Sequence, residues 1–528
     1  MIILGVTHPM VHNNAACLLV DGELVAMVEE ERFNRMKHSP GVPPNRSIQY
    51  CLDLAKIGLE DVDFYAVGWD QAITLYPSFN LRRYAVNKHH MNRLPFSRRS
   101  KKTRYVNHHL AHAVSAYYLS GFQESNIISL DASGGSESGI LAVGRGDDIE
   151  IVKMISNDSS WGFFYSYITM LLGFQAHSHE GKTMGLAPYG TPDPEAFDFI
   201  RWDREIPEID RSGMKRFVAS VEPRKKGETL NQRHKDLAAS AQYALERAGI
   251  QMSGYLYRRS GIKNLCLAGG CALNCSMNGK LLGLPHVDRI FIQPAAHDSG
   301  TALGAAVQVH REMSGSRPQI RFTHAFWGPE YSNGEIEEVL KRSHVSTYKR
   351  SPEICREVAE ILVQGKIVGW FQGRAEVGPR ALGSRSILAD PRTIEIKDGL
   401  NKNVKGREPW RPFAPSFLSE DFGEYVENPY DSPFMIIAFQ GKDGIIENIQ
   451  GAAHVDHTVR VQTVERSIQP EYWEVINEFK KLTGVPAVLN TSFNVAGQPM
   501  VCTPFDALST FFACGLDYLA MGDFLVWK

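Results

Sequence analysis

Two histidines at helical spacing are the first candidates for chemistry in this sequence. The run Asn107-His108-His109-Leu110-Ala111-His112 opens an amphipathic stretch, and His108 and His112 are four residues apart. On a helix both imidazoles project from one face, where they can bind a single cation. The spacing by itself is also compatible with two histidines on a polar helix face.

Two aspartates favour the metal interpretation. Asp131 ends a predicted strand directly before a Gly/Ser loop, where carboxylates often reach a ligand. Asp298 stands just before a predicted helix, where capping the helix is the alternative role. Two histidines and two aspartates suit a borderline divalent ion such as Fe(II), Mn(II) or Zn(II), rather than a closed thiolate zinc site.

Two glycine pairs are candidates for phosphate binding. Gly134-Gly135 and Gly269-Gly270 each follow a predicted strand, and the second pair leads into a helix that carries Asn274 and Asn278. Backbone N–H groups at such turns can bind phosphate, and a helix N-terminus adds positive potential. Either pair alone can be an ordinary tight turn, and the sequence has no P-loop or GxGxxG motif. The presence of two such glycine pairs in one part of the chain favours a nucleotide-binding site.

A basic cluster marks the C-terminal part. Residues 366–411 contain ten Lys or Arg residues against five acidic ones, and several alternate with Gly, Pro and Trp410: Arg380, Arg385, Lys405, Arg407 and Arg411. Guanidinium groups bind phosphate through two hydrogen bonds, so the cluster suits a small multiply charged anion, with a solvated surface as the alternative. Asn490 and Ser492, at the end of a predicted strand, can bind a carbamoyl or phosphate group or cap the turn.

The elements that position these residues follow a repeated pattern. Residues 2–6 read as a buried strand, and two apolar runs flank Asp21-Gly22, which is a strong hairpin signal. The pattern recurs from 127 to 154 as a strand, a polar loop and two further strands. Helices follow each copy. We therefore expect a duplicated α/β domain with a cleft between its halves, followed by a second domain.

Composition describes an ordinary globular protein. The 528 residues suggest two or three domains, and the formal charge of −2 gives no general attraction to nucleic acid or an acidic membrane. No apolar run of 18 residues is present, so no membrane contact is expected. The eight cysteines show no CxxC spacing and are expected to be reduced. These features predict a soluble cytoplasmic protein.

The chain resembles the O-carbamoyltransferase family that includes nodulation protein U, the cephalosporin carbamoyltransferase and the tobramycin carbamoyltransferase. The resemblance runs through nearly the whole chain. It rests on His12 with the Leu-Leu-Val-Asp-Gly that follows, Glu29-Glu30-Glu31-Arg32-Phe33, His108-His109-Leu110-Ala111-His112, Gly181-Lys182-Thr183-Met184-Gly185-Leu186-Ala187, Met277-Asn278-Gly279-Lys280-Leu281, Gly378-Pro379-Arg380-Ala381-Leu382-Gly383, Trp410-Arg411-Pro412-Phe413-Ala414-Pro415 and Leu489-Asn490-Thr491-Ser492-Phe493-Asn494.

The resemblance implies an α/β fold with two domains. The first, residues 1–345, is expected to be a duplicated actin-like (ASKHA) ATPase fold, and the second, residues 346–528, a YrdC-like α/β domain. In such enzymes the second domain forms carbamoyl-adenylate from carbamoyl phosphate and ATP. The first then transfers the carbamoyl group to an acceptor hydroxyl. A small, hydroxylated secondary metabolite, as in antibiotic biosynthesis, is the expected acceptor, and a homodimer is a further expectation.

The resemblance also assigns residues. It makes His12 the candidate general base, and it implies a metal bound by His108, His112, Asp131 and Asp298, with Fe(II) expected and Mn(II) or Zn(II) as alternatives. ATP, with Mg, is expected at Gly134, Gly135, Lys182, Gly269, Gly270, Asn274 and Asn278. The expected carbamoyl phosphate ligands are Arg380, Lys405, Arg411, Arg460, Asn490 and Ser492. Family members commonly have Asp directly after the histidine, whereas this chain has Asn13.

Two other functions compete with small-molecule carbamoylation. A tRNA-modifying carbamoyl transferase would share the fold and the chemistry, and nine Lys or Arg residues between 82 and 104, with no acidic residue from 71 to 123, can bind a phosphodiester backbone. The near-neutral charge of the chain argues against nucleic acid. The other alternative is a non-catalytic actin-like protein that only binds a nucleotide.

Overall fold

The chain forms two compact units in the computed structural model, which describes residues 1–69, 89–225 and 227–528. The first unit comprises residues 1–30 and 38–322, and the second comprises residues 31–37 and 323–528. The chain thus passes from the first unit to the second between residues 322 and 323. Residues around Gly328 belong to the second unit because Gly328 and Pro329 exchange backbone hydrogen bonds of 2.9 Å with Ala375. The predicted limits of 1–345 and 346–528 stay predictions.

The first unit contains two five-stranded sheets. The first sheet has the order β3-β2-β1-β4-β5. Its strands are β1 Ile2–Val6, β2 Ala15–Val20, β3 Glu23–Glu29, β4 Phe64–Val67 and β5 Thr103–Tyr105. β1 lies antiparallel to β2 and parallel to β4. Asp21 and Gly22 both have positive φ (50° and 86°), as a type I′ hairpin turn requires, so the predicted hairpin is confirmed.

The second sheet repeats this topology. Its order is β12-β11-β6-β7-β8. The strands are β6 Glu124–Leu130, β7 Glu137–Arg145, β8 Asp148–Ser156, β11 Asn264–Ala268 and β12 Arg289–Ile292. β6 is antiparallel to β7 and parallel to β11, as β1 is to β2 and β4. The same order and directions in both sheets confirm the duplicated actin-like α/β fold. A separate short ribbon pairs β9 Ile200–Arg201 with β10 Glu208–Ile209.

Helices of both units alternate with the strands along the chain. They are, in chain order, α1 Glu31–Asn34, α2 Asn45–Ala55, α3 His108–Tyr117, α4 Trp161–Leu171, α5 Glu180–Leu186, α6 Arg211–Ser220, α7 Gln232–Ser260, α8 Cys275–Leu282, α9 Ser299–Ser314, α10 Asn333–Arg342, α11 Ile354–Val363, α12 Ile394–Gly399, α13 Pro470–Thr483 and α14 Pro504–Ala513. α9 packs closely on α3, and Gly304 permits this because a Cβ there would lie 1.8 Å from the carbonyl oxygen of Ala111. This contact brings the N-terminal end of α3, which carries His108, close to the N-terminal end of α9, which follows Asp298.

The second unit is built on one mixed sheet of eight strands, in the order β13-β22-β21-β14-β15-β20-β16-β19. Its strands are β13 Tyr348–Arg350, β14 Val368–Phe371, β15 Arg385–Ala389, β16 Ala414–Leu418, β19 Gln462–Val464, β20 Ala487–Ser492, β21 Tyr518–Met521 and β22 Phe524–Trp527. β17 Ala438–Gln440 and β18 Thr458–Arg460 form a separate ribbon. This α/β architecture agrees with the expected YrdC-like class. A π-helix, Leu400–Lys405, follows α12.

The described helices include none that is both long and apolar enough to cross a membrane. All eight cysteines are free thiols, as expected, and five of them are buried.

Candidate metal centre and anion site

The two histidines of α3 converge in the interior of the first unit. Asn107 caps the helix, and its Oδ1 accepts a hydrogen bond from the Leu110 N–H at 3.0 Å. His108 and His112 are both buried, and their Nε2 atoms are 3.2 Å apart. The Nδ1 of His108 lies 3.3 Å from the Gly68 carbonyl oxygen, to which it can donate. That contact favours the tautomer whose Nε2 lone pair points at His112.

Both predicted aspartates face these imidazoles. Asp131 Oδ2 lies 3.2 Å from the Nε2 of His112, and Asp298 Oδ1 lies 3.5 Å from the Nε2 of His108. Although Asp298 precedes α9, its side chain makes no capping hydrogen bond. The alternative role as a helix cap is therefore not adopted. One ligand atom from each of the four residues lies within 4.8 Å of all the others.

The electrostatics of this cluster suit a divalent cation. Burial lowers the pKa of His108 well below 6.5. Burial also acts to lower the pKa of His112, but contacts with Asp131 and Asp298 outweigh it and raise the value to about 9. Burial and the neighbouring Asp131 raise the pKa of Asp298. Two carboxylates and two imidazole nitrogens at these separations fit a tetrahedral ion. With metal–ligand bonds of about 2.1 Å, neighbouring ligand atoms of such an ion are about 3.4 Å apart.

The glycine turns flank this cluster. A Cβ at Gly134 would lie 2.2 Å from the Cδ2 of His108, and one at Gly270 would lie 3.2 Å from Asp131 Oδ1. Gly135 and Gly269 have φ of 100° and 83°, a region that favours glycine. The two predicted phosphate turns are thus brought together beside the candidate metal ligands.

We predict that Gly134→Ala weakens metal binding at least about 10-fold, because the new methyl group displaces His108 and supporting-shell changes at metal sites typically cost 10- to 100-fold. The measurement is bound metal per chain after dialysis against graded chelator. Gly399→Ala is the control, since a Cβ there meets open space at a φ of −57°. Equal metal content in both variants would contradict the prediction.

The other three residues predicted to bind the nucleotide make contacts of different kinds. Asn274 caps α8 by accepting from the Met277 N–H at 2.9 Å, and its amide pairs with that of Gln242 at 2.8–2.9 Å. Asn278 is buried and donates to the Ala272 carbonyl oxygen at 2.8 Å. Both asparagines therefore hold the turn after β11. Lys182 lies on α5, with its ammonium 5.3 Å from the centre of the Phe174 ring.

His12 lies in the loop between β1 and β2, and its imidazole is exposed. It stacks with His177, with ring centroids 6.4 Å apart. Asn13 stands where members of the family that the chain resembles commonly have Asp. Its Oδ1 accepts a hydrogen bond from Nδ1 of His38 at 2.7 Å. Its side chain thus holds a third histidine.

Among the predicted anion ligands of the second unit, the four cations form a cluster: Arg380, Lys405, Arg411 and Arg460. Lys405, the last residue of the π-helix, is buried, and its ammonium donates to the carbonyl oxygen of Ser492 and to Oδ1 of Asn494, the latter at 3.1 Å. Burial, followed by the charges of Arg407 and Arg411, lowers the pKa of Lys405 well below 10.5. Burial likewise lowers the pKa of Arg411, where Glu408 acts in the opposite direction and Arg460 in the same one.

A buried glutamate shapes the loop that carries Arg380. Glu376 Oε1 accepts the N–H groups of Leu382, Ser384 and Arg385 at 2.7, 3.3 and 3.2 Å. Buried Asn490 donates to the Ala381 carbonyl oxygen at 3.1 Å, so this predicted phosphate ligand helps to hold the same loop.

Two cations that are not among the expected carbamoyl phosphate ligands also belong to this cluster. Arg407 lies against the Phe413 ring at 4.1 Å and, after burial, has its pKa lowered by Arg411 and Arg460. The sequence signal for Arg407 is its position in the basic cluster of residues 366–411. Lys37 is accessible to solvent. Desolvation by the surrounding protein lowers the pKa of Lys37, and Glu31 opposes this effect. The positive charges that lower it further are Arg32, Arg411 and Arg380. Nothing local in the sequence links Lys37 to residues beyond 370.

Arg385, by contrast, does not join the cluster. Its buried guanidinium donates to the carbonyl oxygens of Gln372 and Pro329 at 2.8 and 2.9 Å, and it lies 3.7 Å from the centre of the Phe371 ring. It stabilises the second unit's own loops.

Both units match one protein family. The family domain described as the carbamoyltransferase N-terminus matches residues 2–76 and 71–307, and the carbamoyltransferase C-terminus matches residues 359–528. The chain belongs to the carbamoyltransferase family. It is therefore a transferase, which excludes the non-catalytic alternative.

Two nodulation proteins are similar to this chain over most of its length. The nodulation protein NolNO of Sinorhizobium fredii is 40% identical over 99% of this chain and 80% of its own length. The nodulation protein NolO of Bradyrhizobium diazoefficiens is 42% identical over 80% of this chain and 79% of its own length. Among solved structures, full-length HypF in its phosphate- and nucleotide-bound form is similar, with 14% identity and a TM-score of 0.39 over 60% of this chain and 56% of that chain.

The basic stretch considered for tRNA is described only in part, since its residues 82, 83 and 88 lie outside the described residues. Among the others, Lys102 donates to the Val62 carbonyl oxygen at 2.7 Å, and Arg104 lies 5.0 Å from the centre of the Phe64 ring. Arg93 donates to the Gly41 carbonyl oxygen at 3.0 Å. These three cations contact their own unit.

Proposed function

We propose that this carbamoyltransferase is ATP-dependent and acts on the hydroxyl group of a small acceptor. Its second unit converts carbamoyl phosphate, water and ATP into carbamoyl-adenylate, phosphate and pyrophosphate. Its first unit then transfers the carbamoyl group from the adenylate to the acceptor and releases AMP. A secondary metabolite is the proposed class of acceptor, and the cytoplasm is the proposed location.

The cation cluster of the second unit is the observation that carries this proposal. Besides burial, Arg407 and Arg411 lower the pKa of Lys405, and Arg411 and Arg460 lower that of Arg407; Glu408 opposes this effect at Arg407 and Arg411. Buried like charges are costly unless a counter-ion is bound. The dianionic phosphate of carbamoyl phosphate, bound through charge-assisted hydrogen bonds, is a suitable counter-ion.

In the first unit, His108, His112, Asp131 and Asp298 would hold the metal ion. When bound, it would supply Lewis-acid stabilisation of negative charge that develops on the transferred group or on the leaving AMP. Fe(II) is the proposed ion, with Mn(II) or Zn(II) as alternatives. The turns at Gly134-Gly135 and Gly269-Gly270 would present backbone N–H groups to the phosphates of ATP or AMP.

His12 is the proposed general base for the acceptor hydroxyl. Partial desolvation by the surrounding protein lowers the pKa of His12 below 6.5, and electrostatic repulsion from His177 adds to this effect. Because a base must be unprotonated, a lowered pKa keeps His12 active at more acidic pH. We predict that the acid limb of carbamoyl transfer lies below pH 6.5, as single-turnover rates over pH 5–8 would show. A limb above pH 7 would contradict the assignment.

The experiment that tests the proposed function is pyrophosphate release by the metal-loaded enzyme with ATP, in the presence and absence of carbamoyl phosphate. Release that requires carbamoyl phosphate is the expected result. Mass spectrometry of a panel of hydroxylated acceptors then identifies the product, and a gel-shift titration with tRNA is the parallel test of the alternative acceptor. Pyrophosphate release that is independent of carbamoyl phosphate would refute the proposal.

A further inference from the structure

Two exposed histidines in the first unit face each other from separate loops. His12 lies between β1 and β2, and His177 lies just before α5. Their rings are 6.4 Å apart between centroids, and their planes differ by 20°. Both imidazoles are exposed, so a ligand can reach the pair.

A third histidine connects the two loops. The Nδ1 of His38 lies 2.7 Å from Oδ1 of Asn13, and its Nε2 lies 2.9 Å from the hydroxyl oxygen of Ser178. Asn13 and Ser178 are the immediate neighbours in sequence of His12 and His177. One imidazole ring thus fixes the distance between the two loops. A neutral His38 makes both bonds, by donating from Nδ1 to Asn13 and accepting at Nε2 from Ser178.

The backbone at this connection is strained. Asn13, His38 and His177 have φ of 59°, 63° and 60°, in the left-handed region. This region is costly for residues other than glycine, and such strain persists where the surroundings enforce it, often at functional sites. The His177 N–H donates to Oε1 of Glu180 at 2.6 Å, and the same oxygen accepts from the Ser166 hydroxyl at 2.7 Å. These bonds keep the His177 ring beside His12.

We propose that His177 is an acceptor-binding residue, which orients the reacting hydroxyl toward His12, and that His38 is the positioning residue for this pair. The inference rests on the proposed function. In the transfer step the hydroxyl proton moves to His12, and the acceptor oxygen forms a bond to the carbamoyl carbon. The bond from that carbon to the adenylate oxygen breaks, and its electron pair leaves with AMP.

The test uses the full-length, metal-loaded enzyme with glycerol as the probe acceptor, and it measures two signals. The first is the burst of pyrophosphate per enzyme, which reports activation; the second is the rate of carbamoyl-glycerol formation. Loss of one orienting hydrogen bond is worth about 1.4 kcal/mol, so His177→Ala should slow product formation about 10-fold and leave the burst unchanged. His177→Gln, which can still hydrogen-bond, should recover part of the rate.

The positioning role of His38 has its own conservative variant. Asn13→Asp keeps an oxygen acceptor for His38 Nδ1–H and should retain transfer, whereas Asn13→Ala and His38→Ala should both slow it about 10-fold. His344→Ala is the control, because His344 is also exposed and has a positive φ of 52°. It should change neither signal.

The possible outcomes separate the two proposals. An unchanged transfer rate in His177→Ala, with a normal burst, would overturn the inference and leave the proposed function intact. Equal loss in Asn13→Asp and Asn13→Ala would overturn the positioning role of His38. The absence of a pyrophosphate burst in the unaltered enzyme would refute the proposed function and the inference with it.

Discussion

His112→Gln should lose its bound metal ion and its carbamoyl transfer together. The Nε2 of His112 lies 3.2 Å from the Nε2 of His108 and 3.2 Å from Asp131 Oδ2, so it stands at the centre of the four candidate ligands. Changes to residues that only support a ligand cost 10- to 100-fold in metal affinity. Loss of a ligand should therefore cost at least about 100-fold. Metal content after dialysis and single-turnover transfer are the measurements.

His109→Gln is a closely matched control for this variant. His109 lies three residues earlier on α3 and is also buried, but its Nε2 contacts the Glu137 carbonyl oxygen at 3.0 Å and it is not one of the four ligands. A glutamine there can still donate a hydrogen bond. If His109→Gln lost metal as completely as His112→Gln, the effect would reflect disturbance of α3, and the assignment of His112 as a ligand would fail.

Arg411→Met should weaken the response of the enzyme to carbamoyl phosphate without weakening the fold. Hydrogen bonds to charged groups contribute about 1.5–3 kcal/mol. Loss of one such contact should therefore raise the carbamoyl phosphate concentration for half-maximal pyrophosphate release about 10- to 150-fold. Removal of one like charge from beside Arg407 and Arg460 should leave the unliganded protein at least as stable.

A carbamoyl phosphate titration of pyrophosphate release measures the first effect, and thermal unfolding with and without inorganic phosphate measures anion binding and stability. Arg356→Met is the control, because Arg356 is an exposed cation on α11 that pairs with Glu360 at 3.0 Å. The control should keep its stabilisation by phosphate, whereas Arg411→Met should lose it. A drop of several degrees in the melting temperature of unliganded Arg411→Met would show that this arginine supports the fold instead of the ligand.

Local patterns in the sequence predicted the elements that carry the candidate metal centre. The Asp21-Gly22 turn, the four-residue spacing of His108 and His112, and the strand before each glycine pair are encoded within a few residues. Periodicity and turn chemistry act at that range. The repeat of two similar strand patterns was also readable, and the common order of the two sheets confirms it.

The roles of individual polar residues depend on contacts distant in sequence. Asp298 precedes a helix as a capping residue would, and only the position of α3 shows that its carboxylate faces two histidines. Arg385 and Arg411 lie in the same basic run. The buried guanidinium of Arg385 donates to backbone carbonyl groups, whereas Arg411 retains a partly exposed guanidinium. Residue type and spacing do not distinguish such cases, because tertiary burial decides them.

The short segment Glu31–Lys37 has a practical consequence for anyone who wishes to express the anion-binding part alone. Arg32 donates to the Gly378 carbonyl oxygen at 2.8 Å, and Arg35 donates to the Pro499 carbonyl oxygen at 3.1 Å, so these seven residues are a structural component of the second unit. A fragment that begins at Thr323 would leave those carbonyl groups without their partners. A self-sufficient truncation therefore needs residues 31–37 grafted onto it, and the gene cannot be divided into two working halves by one cut.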